Sequence, residues 1–178
     1  MTRRHLALPR IWMLTDERQG EALWAALARL PKGAGVIVRH YSLLETKRQA
    51  LARQIAQRGI FVAYSGSDSA ARRAGAKAVY GKAKTPGRLP RLFPVHNCRE
   101  ILAAERAGAT LLLLSPTFPT RSHPGAKTLG PLGFARLART ARAPVIALGG
   151  MTPKRFKRLK SFGAQGWAAI DAWMESSF

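Results

Sequence analysis

Residues 108–150 read GATLLLLSPTFPTRSHPGAKTLGPLGFARLARTARAPVIALGG. Two short apolar runs, 110–114 and 144–148, have the length and bulk of strands buried on both faces. Each stops at residues that can build a site. The first leads into Ser115-Pro116-Thr117-Phe118-Pro119-Thr120-Arg121-Ser122-His123, the second into Gly149-Gly150-Met151-Thr152-Pro153. An amphipathic helical pattern lies between them. Strand, site loop, helix, strand, Gly-Gly loop is the order of a parallel α/β protein, whose ligand sits at the carboxyl ends of the strands.

The same alternation extends outward. Residues 11–14 form a short apolar run closed by Thr15-Asp16-Glu17, and 20–30 carry apolar residues at 23, 24, 27 and 30, a helical stripe. The β-branched run 36–38 predicts a strand that delivers Arg39-His40-Tyr41 at its carboxyl end. Ser42-Leu43-Leu44-Glu45 has capping-box spacing and predicts a helix from there to Arg58, stopped by Gly59. Strands are predicted at 60–63, 77–80, 91–95 and 166–170, and helices at 69–74, 97–107, 152–160 and 171–176. Asn97 and Thr152 are placed as helix N-caps, with Pro153 in the first turn. Eight strand–helix repeats predict a (β/α)8 TIM barrel. The Pro/Gly-rich stretch 82–90 is too short for a full helix, so a compact barrel with an outer helix reduced to a loop is expected; an open doubly wound sheet is the alternative. The whole chain, 1–178, reads as a single barrel domain with residues 1–10 as a basic amino-terminal arm.

Composition narrows the classes. Hydrophobic residues make up 47% of 178, which suits a folded domain and argues against disorder. No apolar run approaches the roughly 18 residues that span a bilayer. The early arginines resemble a signal peptide, but Pro9 and Arg10 break the apolar run and no small-residue cleavage site follows; a cytoplasmic protein is expected, with no membrane partner. Cys98 is the only cysteine, which excludes an internal disulfide and argues against a cysteine-based metal site. Lys and Arg number 30 against 9 Asp and Glu, a net charge of +21. Such a field attracts phosphorylated small molecules, nucleic acid or acidic membrane surface. The cations are spread along the chain with no zinc-finger, aromatic RNA-binding or basic coiled-coil signature, so a solvated basic surface is the plain reading and nucleic acid the alternative.

His96 after a strand, then ILAAERAGATLLLLSPTFPTRSHPG, APVIALGGMTP and GAQGWAAIDA, together resemble the thiamine phosphate synthase / thiazole tautomerase family over 93–173. The resemblance implies a (β/α)8 barrel and a phosphorylated small-molecule substrate; a homodimer is left open. In the synthase branch it implies joining a hydroxymethylpyrimidine diphosphate to a thiazole phosphate, with magnesium assisting the departure of diphosphate. By position, Gly149 and Gly150 match the family's phosphate-binding glycines, Thr120 and Ser122 its phosphate-binding hydroxyls, and Arg39 an arginine near the diphosphate. The magnesium aspartates fall on Ser65 and on the stretch Lys82–Thr85, so no carboxylate metal ligand is present there. The strand-two lysine falls on Tyr41, the diphosphate lysine on His123 and the strand-eight serine on Asp171. Arg39, Lys82, Lys84, Arg121 and His123 are the cations that can face diphosphate in place of a metal. The tautomerase branch instead uses a His at the position of His96 for acid–base work without metal. His96 and Arg39 are thus the candidate catalytic residues; a non-catalytic phosphate-ligand-binding barrel is the remaining alternative.

Overall fold

Eight parallel strands close on themselves in sequence order in the computed structural model, which describes residues 7–84, 86–121 and 125–174. They are β1 (Ile11–Leu14), β2 (Gly35–Val38), β3 (Phe61–Ser65), β4 (Ala78–Tyr80), β5 (Arg91–Val95), β6 (Leu111–Leu114), β7 (Val145–Leu148) and β8 (Gly166–Ala169). β1 pairs with both β2 and β8, which makes a closed (β/α)8 barrel and rules out the open sheet. The outer helices are α1 (Ala22–Ala28), α2 (Glu45–Gln57), α3 (Asp68–Arg73), α4 (Cys98–Arg106), α5 (Gly130–Ala138) and α6 (Pro153–Leu159).

Strand alternation divides the core in two. Side chains pointing inward, among them Trp12, Leu14, Ile37, Ala63, Ala78, Leu92, Leu113, Ile146 and Ala168, fill the barrel. Those pointing outward meet the apolar faces of the helices. The amino-terminal floor is plugged by Trp12, which is fully buried, donates its indole N–H to the Pro9 carbonyl at 2.7 Å and meets Phe61 edge-on at 5.6 Å. Gly35 makes room for it: a Cβ there would lie 2.5 Å from the indole ring.

Between β4 and β5 the described residues contain no helix, as the Pro/Gly-rich composition of 82–90 predicts. Asp68 holds this crossing in place of helix packing. Its carboxylate accepts from the Arg88 and Leu89 amides at 2.6 and 3.2 Å and from the Arg91 guanidinium at 2.7 Å. Gly87 lies against it so closely that a Cβ would fall 2.6 Å from the carboxylate. Burial pushes the Asp68 carboxyl up, but the two amides and Arg91 outweigh it and hold it below its ordinary 3.8.

The Ser42–Glu45 capping box does not form. α2 starts at Glu45 with Leu44 before it, and the Ser42 amide and hydroxyl instead donate to Glu17 at 3.0 and 3.2 Å. Glu45 accepts from Gln49 at 2.7 Å and Arg73 at 3.2 Å. A carboxylate arriving from β1's loop outcompetes the local cap. The carboxyl-terminal helix is a 3-10 turn, Asp171–Trp173, and residues 175–176 of the predicted element lie outside the described residues, as do residues 1–6 of the basic arm.

Because the Asp68 carboxyl lies below its ordinary value when folded, it stabilises the fold above pH 3.8 and that contribution fades as pH falls through the folded value. Asp68→Asn keeps one acceptor oxygen but loses the charge. Its Tm is expected to be lower by about 3–8 °C at pH 7, on the order of 1.5–3 kcal/mol for hydrogen bonds to a charged group. The gap to the parent should close in calorimetric scans below pH 3.8. A gap constant from pH 7 to pH 3 means the charge is not what holds the crossing.

Candidate functional site

Alternation along the strands decides what reaches the barrel mouth. Ile37 points inward, so Arg39 does too; Leu92 sets His96, and Leu113 sets Ser115. At this end lies a cavity of about 190 Å³, whose lining includes Arg39, His96, Thr120, Gly149, Gly150 and Asp171. Five of the sequence candidates therefore share one pocket.

Its far wall is the β6 loop pressed onto the end of β7. The Thr117 amide donates to the Leu148 carbonyl at 2.8 Å and the Phe118 amide to that of Gly149 at 3.1 Å. The Leu129 and Gly130 amides, entering α5, donate to the carbonyls of Pro116 and Thr117, both at 3.0 Å. This close approach explains the glycine pair. Gly149 has φ +96, and a Cβ would stand 3.0 Å from the Pro116 Cα; at Gly150, with φ +58, it would strike the Pro119 carbonyl oxygen. Arg155 donates to the Gly150 carbonyl and lies over the Phe118 ring at 4.8 Å, while Thr152 caps α6 by accepting from the Arg155 amide at 3.2 Å.

Arg39 and Asp171 of the lining belong to a line of alternating charges at the mouth. Arg39 donates through Nε to the Thr15 carbonyl and through Nη2 to Asp16, both at 3.3 Å. Asp16 accepts from Arg18 at 2.7 Å. Asp171 lies 3.9 Å from Arg18 and 3.5 Å from Arg121. The carboxylate at the strand-eight position therefore arrives beside two guanidinium groups. Burial pushes the Asp16 carboxyl up, and Arg18 and Arg39 outweigh this to leave it below its ordinary value. Tyr80, beneath Arg39, is driven by burial up to about 12.

The sequence reading passed over Gln19. Asp16 and Gln19 form a capping box in which the Asp16 amide donates to Gln19 Oε1 at 2.9 Å. The buried Gln19 amide then reaches the carbonyls of Leu14 and Ile170 at 3.4 and 3.3 Å, tying the ends of β1 and β8 together. The signal was an acidic cap followed three residues later by Gln, directly after a strand.

His96 Nδ1 sits 2.7 Å from the Ser115 carbonyl oxygen. A carbonyl only accepts, so Nδ1 carries a proton and Nε2 remains for a ligand. Glu100 accepts from the His96 amide at 2.9 Å and from Lys82 at 3.2 Å. Lys82 is largely exposed, and neither it nor the exposed Lys84 lines the cavity. Ser122 and His123 lie outside the described residues.

The donors present do not fit a carboxylate-held magnesium ion. Tyr64 accepts from Arg48 at 2.9 Å, and Ser65 donates to Tyr41 at 3.0 Å. The mouth carboxylates Asp16, Asp171 and Glu100 each face cations. No three His, Cys, Asp or Glu side chains among the described residues are grouped to hold a metal.

Residues 93–173 match the family model described as thiamine monophosphate synthase. The resemblance read from the sequence is thus supported over the same segment. A putative thiamine-phosphate synthase 2 of Aquifex aeolicus is 36% identical over 83 residues, 47% of this chain and 45% of that one. A thiamine-phosphate synthase of Geobacillus kaustophilus is 38% identical over 79 residues, 43% of this chain and 36% of that one. The match spans less than half the length of these relatives. In fold, a thiamine phosphate pyrophosphorylase from Pyrococcus furiosus superposes with a TM-score of 0.74 at 22% identity, over 93% of this chain and 87% of that one. FabK from Thermotoga maritima reaches the same 0.74 at 17% identity, over 93% of this chain and 58% of its own. The barrel alone does not select an activity. No helix among the described residues is long and apolar enough to cross a membrane.

Gly150→Ala is expected to cost about 2–4 kcal/mol, from the positive φ and the collision with the β6 loop. That lowers Tm by roughly 5–15 °C for a chain of this size. A calorimetric loss under about 2 °C would show that the loop is not anchored through this residue.

Proposed function

We propose that this barrel works in thiamine biosynthesis as a thiamine phosphate synthase-like transferase, joining a hydroxymethylpyrimidine diphosphate to a thiazole phosphate with release of diphosphate. One observation carries the reading: the family-matching half brings Thr120, Gly149 and Gly150 into one cavity with Arg39 and His96. Thr120, Ser122 and the backbone of the glycine pair take the phosphate monoester. Arg39 faces the leaving diphosphate, with Lys82 and Lys84 as outer cations and His123 kept as a candidate from the sequence. The thiazole nitrogen bonds to the pyrimidine methylene carbon as the bond from that carbon to the diphosphate oxygen breaks. The barrel's contribution is to hold two anions and neutralise the one that departs. No step runs through magnesium, whose carboxylate ligands are missing.

A second reading is favoured by the His96 geometry. With Nδ1 committed to the Ser115 carbonyl, Nε2 can take and return a ring proton. That supports a metal-independent thiazole phosphate tautomerase-like activity in the same pocket.

A coupling assay with both substrates, run with magnesium and with chelator, separates the two. Thiamine phosphate is expected in both conditions, and Arg39→Gln should lower kcat/KM by about 10²-fold, the scale of removing one charge-stabilising donor. Absence of product, with thiazole phosphate still bound in calorimetry and binding lost in Thr120→Ala, passes the pocket to the tautomerase reading. Failure to bind thiazole phosphate removes both.

A further inference from the structure

From Ala107 to Ile170 the chain contains no Asp or Glu across 64 consecutive residues, yet it carries ten Lys and Arg. This segment builds α5 and α6, which follow β6 and β7 and are neighbouring staves of the outer wall. α5 meets the 3-10 turn that follows α6, where a Cβ on Gly163 would lie 3.9 Å from that of Ala138. The exposed residues within α6 are Lys154, Lys157 and Arg158, all cations. Arg136, Arg139 and Arg142 are exposed at the end of α5 and just beyond it. Among the described residues none of these six side chains is in an ion pair. The ion pairs of the described residues engage Arg18, Arg39, Arg73, Lys82, Arg91 and Arg121 instead. Of the two flanking acids, Asp171 faces Arg18 and Arg121, and Glu105 turns its carboxylate onto the Arg142 and Ala143 amides.

We propose that the α5–α6 wall is a docking surface for the phosphate backbone of a nucleic-acid duplex, bound without regard to sequence. Six exposed cations on α6, on the last turn of α5 and just beyond it can face a row of phosphates, and each phosphate they neutralise releases a counterion. A membrane surface fits less well. The apolar residues of α6, Phe156 and Leu159, pack against the core, so its outer face has nothing to insert. The exposed Leu132 stands one turn from Arg136 and is a single apolar side chain. A single strand fits less well too, since no exposed aromatic ring on α5 or α6 offers a base a stacking platform. The surface is separate from the mouth: none of the six cations lines the cavity.

The test is fluorescence anisotropy of the full chain with a labelled duplex of about two helical turns, at salt from roughly 50 to 200 mM. Binding is expected, with a slope of log K against log salt of about −3 to −5. The triple variant Lys154→Glu, Lys157→Glu, Arg158→Glu should weaken it at least about tenfold and flatten the slope by two to three, roughly one per lost phosphate contact. The matched control reverses the exposed Lys32, Lys47 and Lys77, which changes net charge equally but lies off this wall; its loss should stay under about threefold. All these positions are exposed, and unchanged thermal melting confirms that each variant folds. Equal loss in both variants means bulk charge and overturns the docking surface. So does tighter binding to the single strand, or binding to vesicles of phosphatidylserine and phosphatidylcholine without binding to duplex.

Discussion

Ile11, Trp12 and Met13 pair with Trp167, Ala168 and Ala169, and this seam turns eight strands into a closed wall. Closure removes both sheet edges, and with them the backbone groups an open sheet leaves unpaired. It also fixes where a ligand can go. An eight-stranded interior is only wide enough for side chains, and here Trp12 takes the floor because Gly35, Ala63 and Ala78 are small. Space for a ligand is left at the carboxyl end. There the seam sets Asp171 beside the loop that follows β1, and Gln19 fastens the last carbonyls of β1 and β8 to one side chain.

Nine acids cannot neutralise thirty bases, so where each acid stands shapes the molecule. Asp68 replaces the packing of an absent helix, Glu17 holds the β2 loop, Glu100 braces the His96 amide, and Glu105 ties the end of α4 to the approach to β7. Each accepts backbone amides, a use in which one carboxylate ties down a connecting segment through charge-assisted hydrogen bonds. The same economy leaves the β6–α6 half without acids. Both parts of the chain are basic, but the acids that brace crossing loops all lie outside residues 107–170.

The strands were legible because parallel strands buried on both faces are short continuous apolar runs, and LLLL at 111–114 and VIAL at 145–148 are such runs. The stops were legible because Gly59, Gly75 and Gly108 take positive φ at helix ends. Arg39 and His96 could be placed at the mouth by counting alternate residues along β2 and β5. What local sequence could not show was competition from distant residues. Ser42 has the spacing of a cap but meets Glu17 from another loop. Lys82 follows a strand, the right place for a mouth residue, but Glu100 draws it to the rim. Gln19 was overlooked although its motif was present, because its partners at Leu14 and Ile170 come together only when the barrel closes.

The line of charges Arg39, Asp16, Arg18, Asp171 and Arg121 bears on how an anion enters this mouth. Its three guanidinium groups and two carboxylates leave one excess positive charge across the mouth. Arg39 holds Asp16 through a single contact at 3.3 Å, while Asp16 keeps Arg18 at 2.7 Å. An incoming phosphate can therefore take Arg39 by exchange, trading one long contact for the paired N–H groups of the guanidinium fork, and Asp16 still keeps a cation. Asp171 is shielded by Arg121 and Arg18, so it does not stand against the anion as a bare charge. A carboxylate-rich metal site attracts a divalent ion to carry the charge of a diphosphate; on the proposed function this mouth would meet that charge with arginines already held in place.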